Sequence, residues 1–469
     1  FFGATDPAIQ ATGVPGPVQP DKKDWAPRFG FAYSPTGYKW AGKGNTVVRG
    51  GFGIAYDVLF YNILAAENGN YPRVLSQMMT PPPNNAFPTL APATAVLGPF
   101  NPMSGFVNSP ANTVHPTTNF WTLSIQREFG SNYILEVGYS GNRSYHGIAQ
   151  GQGNPPILTP AQAATVVATG DPMQIPTAQA RRLNPNWGSR TLLMSTAKAA
   201  YEAGYVKFDR RMTKSLMIGA NYTYSGTWSN NDEPLGVTDI TPSTPQTPED
   251  YLNVRKEWSR SIYDRPHRVA VTYLYQVPWF SSSWASGWPA KIMSGWQVAG
   301  YTDAQSGQPF TITTGVDSAG IGNATPARPN YNPSGVFQKN AVFTSSGPVQ
   351  QNFGGGLRTF YIPVDGTGIV TAPLGSNGIL ASSMSGGGNL GRNTFRGPNF
   401  QQWDFSLMKK VTLRENMQFE LRSDFGNLWN HRNFPNPVAT MSSTTFGQNT
   451  ASLIGDGVRT ILVSGKLIF

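Results

Sequence analysis

The sequence predicts an all-β protein, the wall of an antiparallel β-barrel that crosses a membrane on about eleven strands. Three observations carry the prediction. Apolar and polar residues alternate with period two in segments spread along the whole chain. The connections between those segments alternate between short and long. The chain also ends on such a segment, in which Ile461, Val463, Gly465, Leu467 and Phe469 alternate with Leu462, Ser464, Lys466 and Ile468. Terminal residues of a soluble domain tend to fray. An apolar strand closing on an aromatic residue suits a wall whose strands pair along their length and turn one face to lipid.

Taken in order, Arg28 to Ser34 sets Phe29, Phe31 and Tyr33 against Gly30 and Ala32. Thr46 to Asp57 places Val48, Phe52, Ile54 and Tyr56 on one face and Arg49, Gly51, Gly53, Ala55 and Asp57 on the other. Trp121, Leu123, Ile125 and Phe129 oppose Thr122, Ser124, Gln126 and Glu128, and Tyr133, Leu135, Val137 and Tyr139 oppose Glu136, Gly138 and Ser140. The pattern returns at Gly204 to Arg210, Leu216 to Tyr224, Val269 to Val277, Trp296 to Gln305, Trp403 to Lys409 and Phe419 to Trp429. One face carries Tyr, Trp and Phe near the strand ends, as the interfacial girdles of membrane barrels do. The other carries Gly, Ser and mixed charges, and Arg49, Glu136, Asp209, Glu420 and Arg422 are its candidates for facing the lumen. Leu467 and Phe469 are expected on the lipid face of the last strand, where an assembly signal would lie.

Short connections follow Phe129, Arg211 and Lys410, with somewhat longer ones at Pro35 to Asn45 and Pro278 to Met293. Long ones run about Val58 to Phe120, Asn142 to Ala200, Ser229 to Pro266, Gly307 to Gln402 and Asn430 to Gly457. Transmembrane barrels alternate in this way, with short periplasmic turns and long outer loops. If Phe469 lies at the periplasmic end, eleven antiparallel strands leave the first and last running the same way. They could close only in parallel, whereas bacterial single-chain barrels pair antiparallel throughout. The chain is therefore expected to be part of a larger barrel, with further strands before Phe1.

Composition agrees. Only 13% of residues are charged and 12% aromatic, while Gly (51) and Pro (39) abound, which favours short strands, turns and loops over helices. No apolar run reaches the roughly 18 residues of a membrane helix, which excludes helical membrane proteins and leaves barrels open. Zero cysteines exclude disulfide scaffolds and thiolate zinc sites. The net charge of +10 is scattered, in groups no longer than Lys22-Lys23, Arg181-Arg182 and Lys409-Lys410, so no nucleic-acid partner is expected. The start at Phe1 has no basic and apolar leader, so a signal peptide is expected to have been removed or the chain to be a piece of a longer protein.

Several segments in order resemble the Oar-like β-barrel domain of TonB-dependent outer-membrane transporters. They are APRFGFAYSP at Ala26 to Pro35, VVRGGFGIAYD at Val47 to Asp57, VKFDRRMTKSLMIGANYTYS at Val206 to Ser225 and DRPHRVAVTYLYQVP at Asp264 to Pro278. GWQVAGYTDAQSGQPFTI at Gly295 to Ile312, GRNTFRGPNFQQWDFSLMKK at Gly391 to Lys410, FELRSDFGNLWNHRNFPNP at Phe419 to Pro437 and FGQ at Phe446 to Gln448 continue the series. The resemblance implies that residues 1–469 are the C-terminal part of a barrel of about 22 strands in the bacterial outer membrane. It also implies a plug domain outside this stretch and uptake of a large or scarce solute energised by TonB. Implied partners are outer-membrane lipid and lipopolysaccharide, the barrel-assembly machinery, and the TonB complex through segments outside these residues; no cofactor is implied. No TonB box, plug or carboxypeptidase-regulatory-like domain is recognisable in the chain. The ending departs from the usual assembly signal, because Ser464 stands where Gly is usual and the glycine is Gly465. The alternatives are a passive porin or channel and a surface adhesion or secretion-related barrel.

Other motifs weigh less. GYKWAGKG at Gly37 to Gly44 approaches a phosphate-binding loop, but Gly44 replaces the metal-binding hydroxyl residue and a turn is the better reading. His115, His146, His267 and His431 lack ligand spacing, so no metal site is expected. His267 has no identifiable nucleophile partner, and no enzymatic activity is expected. Arg392, Arg396, Asn399 and Trp403 follow the glycines at 386–388 and Gly391. They read as an outer loop meeting its strand, with the arginines near lipopolysaccharide phosphates or a neighbouring carboxylate, ahead of a loop touching substrate in the lumen.

Overall fold

The computed structural model describes residues 22–38, 44–58, 103, 106–110, 113–157, 159, 161–162, 165, 175–213, 215–232, 248–250, 254–278, 292–313, 315, 327–328, 341–343, 358–360, 390–414, 417–440 and 458–469. Its strands, in chain order, begin with β1 (Arg28–Tyr33), β2 (Thr46–Tyr56), β3 (Phe106–Asn108), β4 (Thr117–Phe129), β5 (Tyr133–Gln152) and β6 (Arg190–Thr213). Next come β7 (Leu216–Ser229), β8 (Ser259–Arg260), β9 (His267–Gln276), β10 (Trp296–Gln305), β11 (Pro309–Phe310) and β12 (Ala341–Phe343). The last are β13 (Arg358–Phe360), β14 (Phe395–Arg396), β15 (Phe400–Arg414), β16 (Met417–Gly426) and β17 (Thr460–Ile468).

One sheet of thirteen strands dominates; β3 and β8 lie off its main path, leaving eleven in the order β1-β2-β4-β5-β6-β7-β9-β10-β15-β16-β17. Every neighbouring pair on that path is antiparallel. Each path strand therefore follows its sequence neighbour on the path, as an up-and-down wall does. Among the described residues, β1 pairs only with β2 and β17 only with β16, so both outer strands keep one open edge.

The register carries the alternation across the wall. Leu123, Tyr139, Gly204, Tyr224 and His267 lie opposite one another in one row, and Ile125, Val137, Val206, Tyr222 and Val269 in the next. The other face holds the row Arg49, Ser124, Gly138, Tyr205, Thr223 and Arg268. On the apolar face large side chains are bare: Phe29 is 69% exposed, Val463 62% and Phe469 86%. Water would penalise such a surface, and hydrocarbon does not. From Trp121 to Phe129 this face runs about 26 Å along β4, or about 20 Å along the membrane normal at a barrel tilt of about 40°. Two glycines let the sheet pack on itself: Tyr273 covers Gly300 on the apolar face and Tyr205 covers Gly138 on the polar face, each occupying the space of a Cβ.

Three expectations need correction. The long connection expected from Asn142 to Ala200 is shorter than that, running from the end of β5 at Gln152 to the start of β6 at Arg190, because β5 and β6 continue far beyond the membrane band. The 24 residues of β6 extend about 80 Å, whereas a spanning strand needs roughly 10 residues. The extension escaped the period-two reading because a bulge interrupts it between Ser144 and Gly147, with His146 at φ 59°, and because both faces are part-covered. Leu193 and Ile148 are buried there, with Val107 of β3 packed against them. Second, β16 stops at Gly426 and not at Trp429. Asn427 (φ 52°) turns the chain, and its side chain binds both N–H and C=O of His431 at 2.9 and 2.8 Å. Third, β3, β8, β11 and β14 add short pairings inside stretches expected to be loop. Within the Gly37 to Gly44 motif, residues 39–43 lie outside the described residues, as does most of the long connection from Val58 to Phe120.

The interior lies at one end. Ile262, Ile312, Phe310 and Leu390 are buried among the long connections, while the strands' apolar face stays open.

Candidate functional site

The polar face is a wall of paired charges. Glu136 accepts a hydrogen bond from the Tyr205 hydroxyl at 2.8 Å, and Arg49 donates to Gln126. Asp209 pairs with Lys207 at 3.1 Å, Glu420 with Lys410 at 3.3 Å, and Arg422 with Asp424 at 2.8 Å. Nearer the long connections, Arg268 reaches Asp303 at 2.9 Å, and the Tyr301 hydroxyl donates to the same carboxylate at 3.1 Å. The five residues singled out from the sequence thus share a face but not a site. They spread over several strands, and each is answered by a neighbour two residues away or on the adjacent strand. Such solvated pairs contribute little stability, up to about 1 kcal/mol each.

The charges do converge where the long connections meet the sheet. β7 ends at Ser229 and delivers Asp232; the stretch 248–264 contributes Glu249, Glu257 and Asp264; the approach to β14 contributes Arg392, Asn393 and Arg396; and Arg328 comes from between β11 and β12. Arg392 is buried and uses its whole fork. It donates to Asp232 at 2.6 Å, to the Glu257 carbonyl at 3.0 Å, to the Ser229 hydroxyl at 3.0 Å and to the Ser229 carbonyl. Arg328 clasps Glu257 with both terminal nitrogens, at 2.8 and 3.0 Å, and reaches Glu249 at 3.0 Å. Arg396 pairs with Asp264, which also meets Arg260 at 3.4 Å. Asn393, in the left-handed region at φ 54°, donates to the Arg260 carbonyl at 2.7 Å and accepts from Thr311 at 3.0 Å.

Burying charges costs several kcal/mol per ion unless geometry and hydrogen bonds compensate. Compensation is extensive here, although the buried Nε of Arg328 has no hydrogen-bond partner among the described residues. Asp232 accepts from Ser261 at 2.6 Å and from the Ile262 amide at 3.2 Å, besides Arg392. Burial works against the charge of Arg328, but Glu257 and Glu249 outweigh it and hold this guanidinium above its ordinary range. Arg265 is the contrast. Burial, and then the like charge of Arg396, pull it down to about 10 against the attraction of Asp264. It donates to the carbonyls of Ile262 and Asp264, at 2.8 and 3.0 Å. The cluster therefore binds the β7–β9 and β10–β15 connections into one body over the end of the sheet.

Arg392 and Arg396 were visible in the sequence, and beside them the structure sets carboxylates. Asn399 accepts from the Gly307 amide at 3.0 Å, and Trp403 lies on β15 opposite Thr302. Sequence reasoning missed Asp232, Glu249, Glu257, Asp264 and Arg328. The available signal was the gathering of acids between 232 and 264 in a chain otherwise poor in charge. The histidines stay apart: His115 meets Asp24 at 2.5 Å, and His267 meets the Tyr222 hydroxyl at 2.8 Å beneath the Tyr224 ring. Among the described residues no group of three or more His, Cys, Asp or Glu could hold a metal ion.

A sheet with one bare apolar face, one charged face and alternating short and long connections defines an outer-membrane β-barrel wall. The family comparison agrees. Residues 4–461 match the family described as outer membrane beta barrel domain. The chain belongs to that family, and its place is the bacterial outer membrane. No curated protein matches it in sequence. Among solved structures it is similar to the outer membrane transporter YddB from Escherichia coli, at 8% identity and a TM-score of 0.42, over 94% of this chain and 40% of that one. It is also similar to the FrpB iron transporter from Neisseria meningitidis, at 8% identity and 0.40, over 94% and 39%. The siderophore receptor PirA from Pseudomonas aeruginosa is matched at 10% and 0.36, over 95% and 42%. The chain spans less than half the length of each of these proteins.

Proposed function

We propose that this chain is the C-terminal barrel wall of an Oar-like TonB-dependent transporter, which takes up a large or scarce solute. In this reading the polar face lines the passage, with Arg49, Glu136, Asp209, Glu420 and Arg422 facing the lumen. The clustered long connections form the outer platform that meets solute, and energy arrives from TonB through segments outside residues 1–469. The observation that supports it best is the joining of two long connections by buried arginine–carboxylate pairs. A passive pore has no need of a fixed platform, whereas capture of a scarce solute does, because ordering a loop on binding subtracts from affinity. The eleven-strand path supports a larger barrel, since an odd antiparallel set cannot close on itself without a parallel seam.

The test is uptake by cells producing the full-length protein, compared with a form lacking its plug and with a strain lacking TonB. Energised uptake requires both. Solute entry that survives loss of either refutes the reading and favours a passive channel.

A further inference from the structure

At the long-connection rim of the apolar face, Trp121, Gly141, Glu202 and Gly226 form one row across β4, β5, β6 and β7. Two arginines reach this rim, each beside an indole. Arg143 lies 5.8 Å from the Trp121 ring centroid, and Arg260 of β8 lies 4.1 Å from that of Trp228. Gly226 makes room for the second pair. The Arg260 Nη1 and the Trp228 ring fill the space its Cβ would take, which places the guanidinium on the apolar side of the sheet. On β9, His267 lies opposite Tyr224. From Gly226 to His267 is two residues along and one strand across, about 8 Å at the backbone.

Glu202 is the only Asp or Glu on the apolar face at this rim among the described strand residues. It turns away from Arg260. It meets Arg143 at 2.6 Å and the Tyr139 hydroxyl, with its Oε2 over Gly141. Arg260 is left with Asp264 at 3.4 Å, through Nη1 alone. That carboxylate is buried and already held by Arg396 and the Thr227 amide. The Nε and Nη2 of Arg260 have no hydrogen-bond partner among the described residues, and the side chain is 40% exposed. His267 is exposed as well. Its Nδ1 meets the Tyr222 hydroxyl at 2.8 Å, and its ring lies 5.1 Å from that of Tyr224. With Tyr222 donating to Nδ1, the Nε2–H stays open as a donor.

Aromatic rings at a membrane interface sit at head-group level. A guanidinium held over an indole keeps N–H edges directed outward, where phosphate is the natural acceptor. With the long connections outside the cell, this rim meets the outer leaflet, in which lipid A carries phosphate. Arg392 and Arg396, the arginines expected near such phosphates from sequence, are spent on Asp232 and Asp264. We propose that Arg260 and His267, framed by Trp228 and Tyr224, bind a phosphate of lipid A against the outside of the wall. A phosphate accepting one hydrogen bond from each group spans a similar distance, about 8 Å between donors. The site rests on the orientation of the long connections and is independent of what the wall transports.

The test uses the full chain purified in detergent and probed by native mass spectrometry with lipid A, dephosphorylated lipid A or phosphatidylglycerol. Lipid A should be retained over both others. Arg260→Gln and His267→Gln should each weaken its retention about fivefold. Arg260→Lys should keep most of it, and Arg210→Gln at the opposite rim should leave it unchanged. A heat-induced gel shift verifies that each variant is folded. Equal retention of the dephosphorylated form, preference for phosphatidylglycerol, or an inert Arg260→Gln overturns the proposal. Orientation is read separately. The chain has no cysteine, so Ser131→Cys in the β4–β5 turn reports alone to an impermeant maleimide. Labelling only after lysis supports the outer-leaflet assignment, and labelling of intact cells overturns it.

Discussion

Replacing Arg392 by Met should loosen the outer platform while leaving the wall intact. The substitution keeps much of the side-chain volume but removes four donated hydrogen bonds and the charge partner of Asp232. Removing one member of a buried pair costs about 3–5 kcal/mol. Asp232 keeps Ser261 and the Ile262 amide as donors, which argues for the lower half of that range, about 3–4 kcal/mol. At 1.36 kcal/mol per tenfold, the local opening equilibrium should rise by roughly two to three orders of magnitude. Hydrogen exchange followed by mass spectrometry reads this directly. Amides at 227–232, 258–264 and 390–396 should lose protection, while those of β4, β15 and β16 keep theirs. Asp232→Asn with Arg392→Met should cost less than the sum of the single changes, because the double variant leaves no lone buried charge. Unchanged protection around Arg392, or strict additivity, would refute the claim that these pairs hold the connections together.

Three further outcomes follow from the same geometry. Arg265→Met should cost about 1–2 kcal/mol by the same exchange measurement, less than Arg392→Met, since Arg265 gives up two bonds to carbonyls and relieves its repulsion with Arg396; a cost as large as that of Arg392→Met contradicts the contrast. Gly295→Ala should lower the thermal unfolding midpoint of the wall by an amount matching about 2–3 kcal/mol, because φ is +78° and the new Cβ would meet the Lys410 carbonyl oxygen on the adjacent strand; a midpoint within error of the parent refutes the close approach. Deleting Phe469 should reduce the folded protein recovered from outer membranes without altering its synthesis, if the apolar face of β17 guides assembly; equal recovery removes Leu467 and Phe469 from that role.

The legibility of this protein divides along the direction in which its interactions run. Period two is a local property, so the positions of all eleven path strands, the two-faced wall and the alternating connections were readable from neighbours in the chain. Strand order was readable across the short turns, which force sequence neighbours to pair. The reach of β5 and β6 was not. Beyond the membrane both faces of that ribbon meet protein or water in patches, and without a lipid face the alternation has no physical cause to persist.

The outer cluster was legible in half. Arg392 and Arg396 stood out beside their glycines, but what each faces depends on chain that returns from 130 or more residues away, as Asp232 and Asp264 do. No local pattern encodes such a meeting, because a buried charge selects its partner by geometry at the end of folding and not by spacing along the chain. By itself, then, the sequence determined that this is a membrane wall, with its faces and the run of its strands. Only the tertiary structure decided which arginine meets which carboxylate, and so that the β7–β9 and β10–β15 connections form one body over the wall: a sheet follows from repeating local rules, while a loop platform depends on contacts the chain makes once.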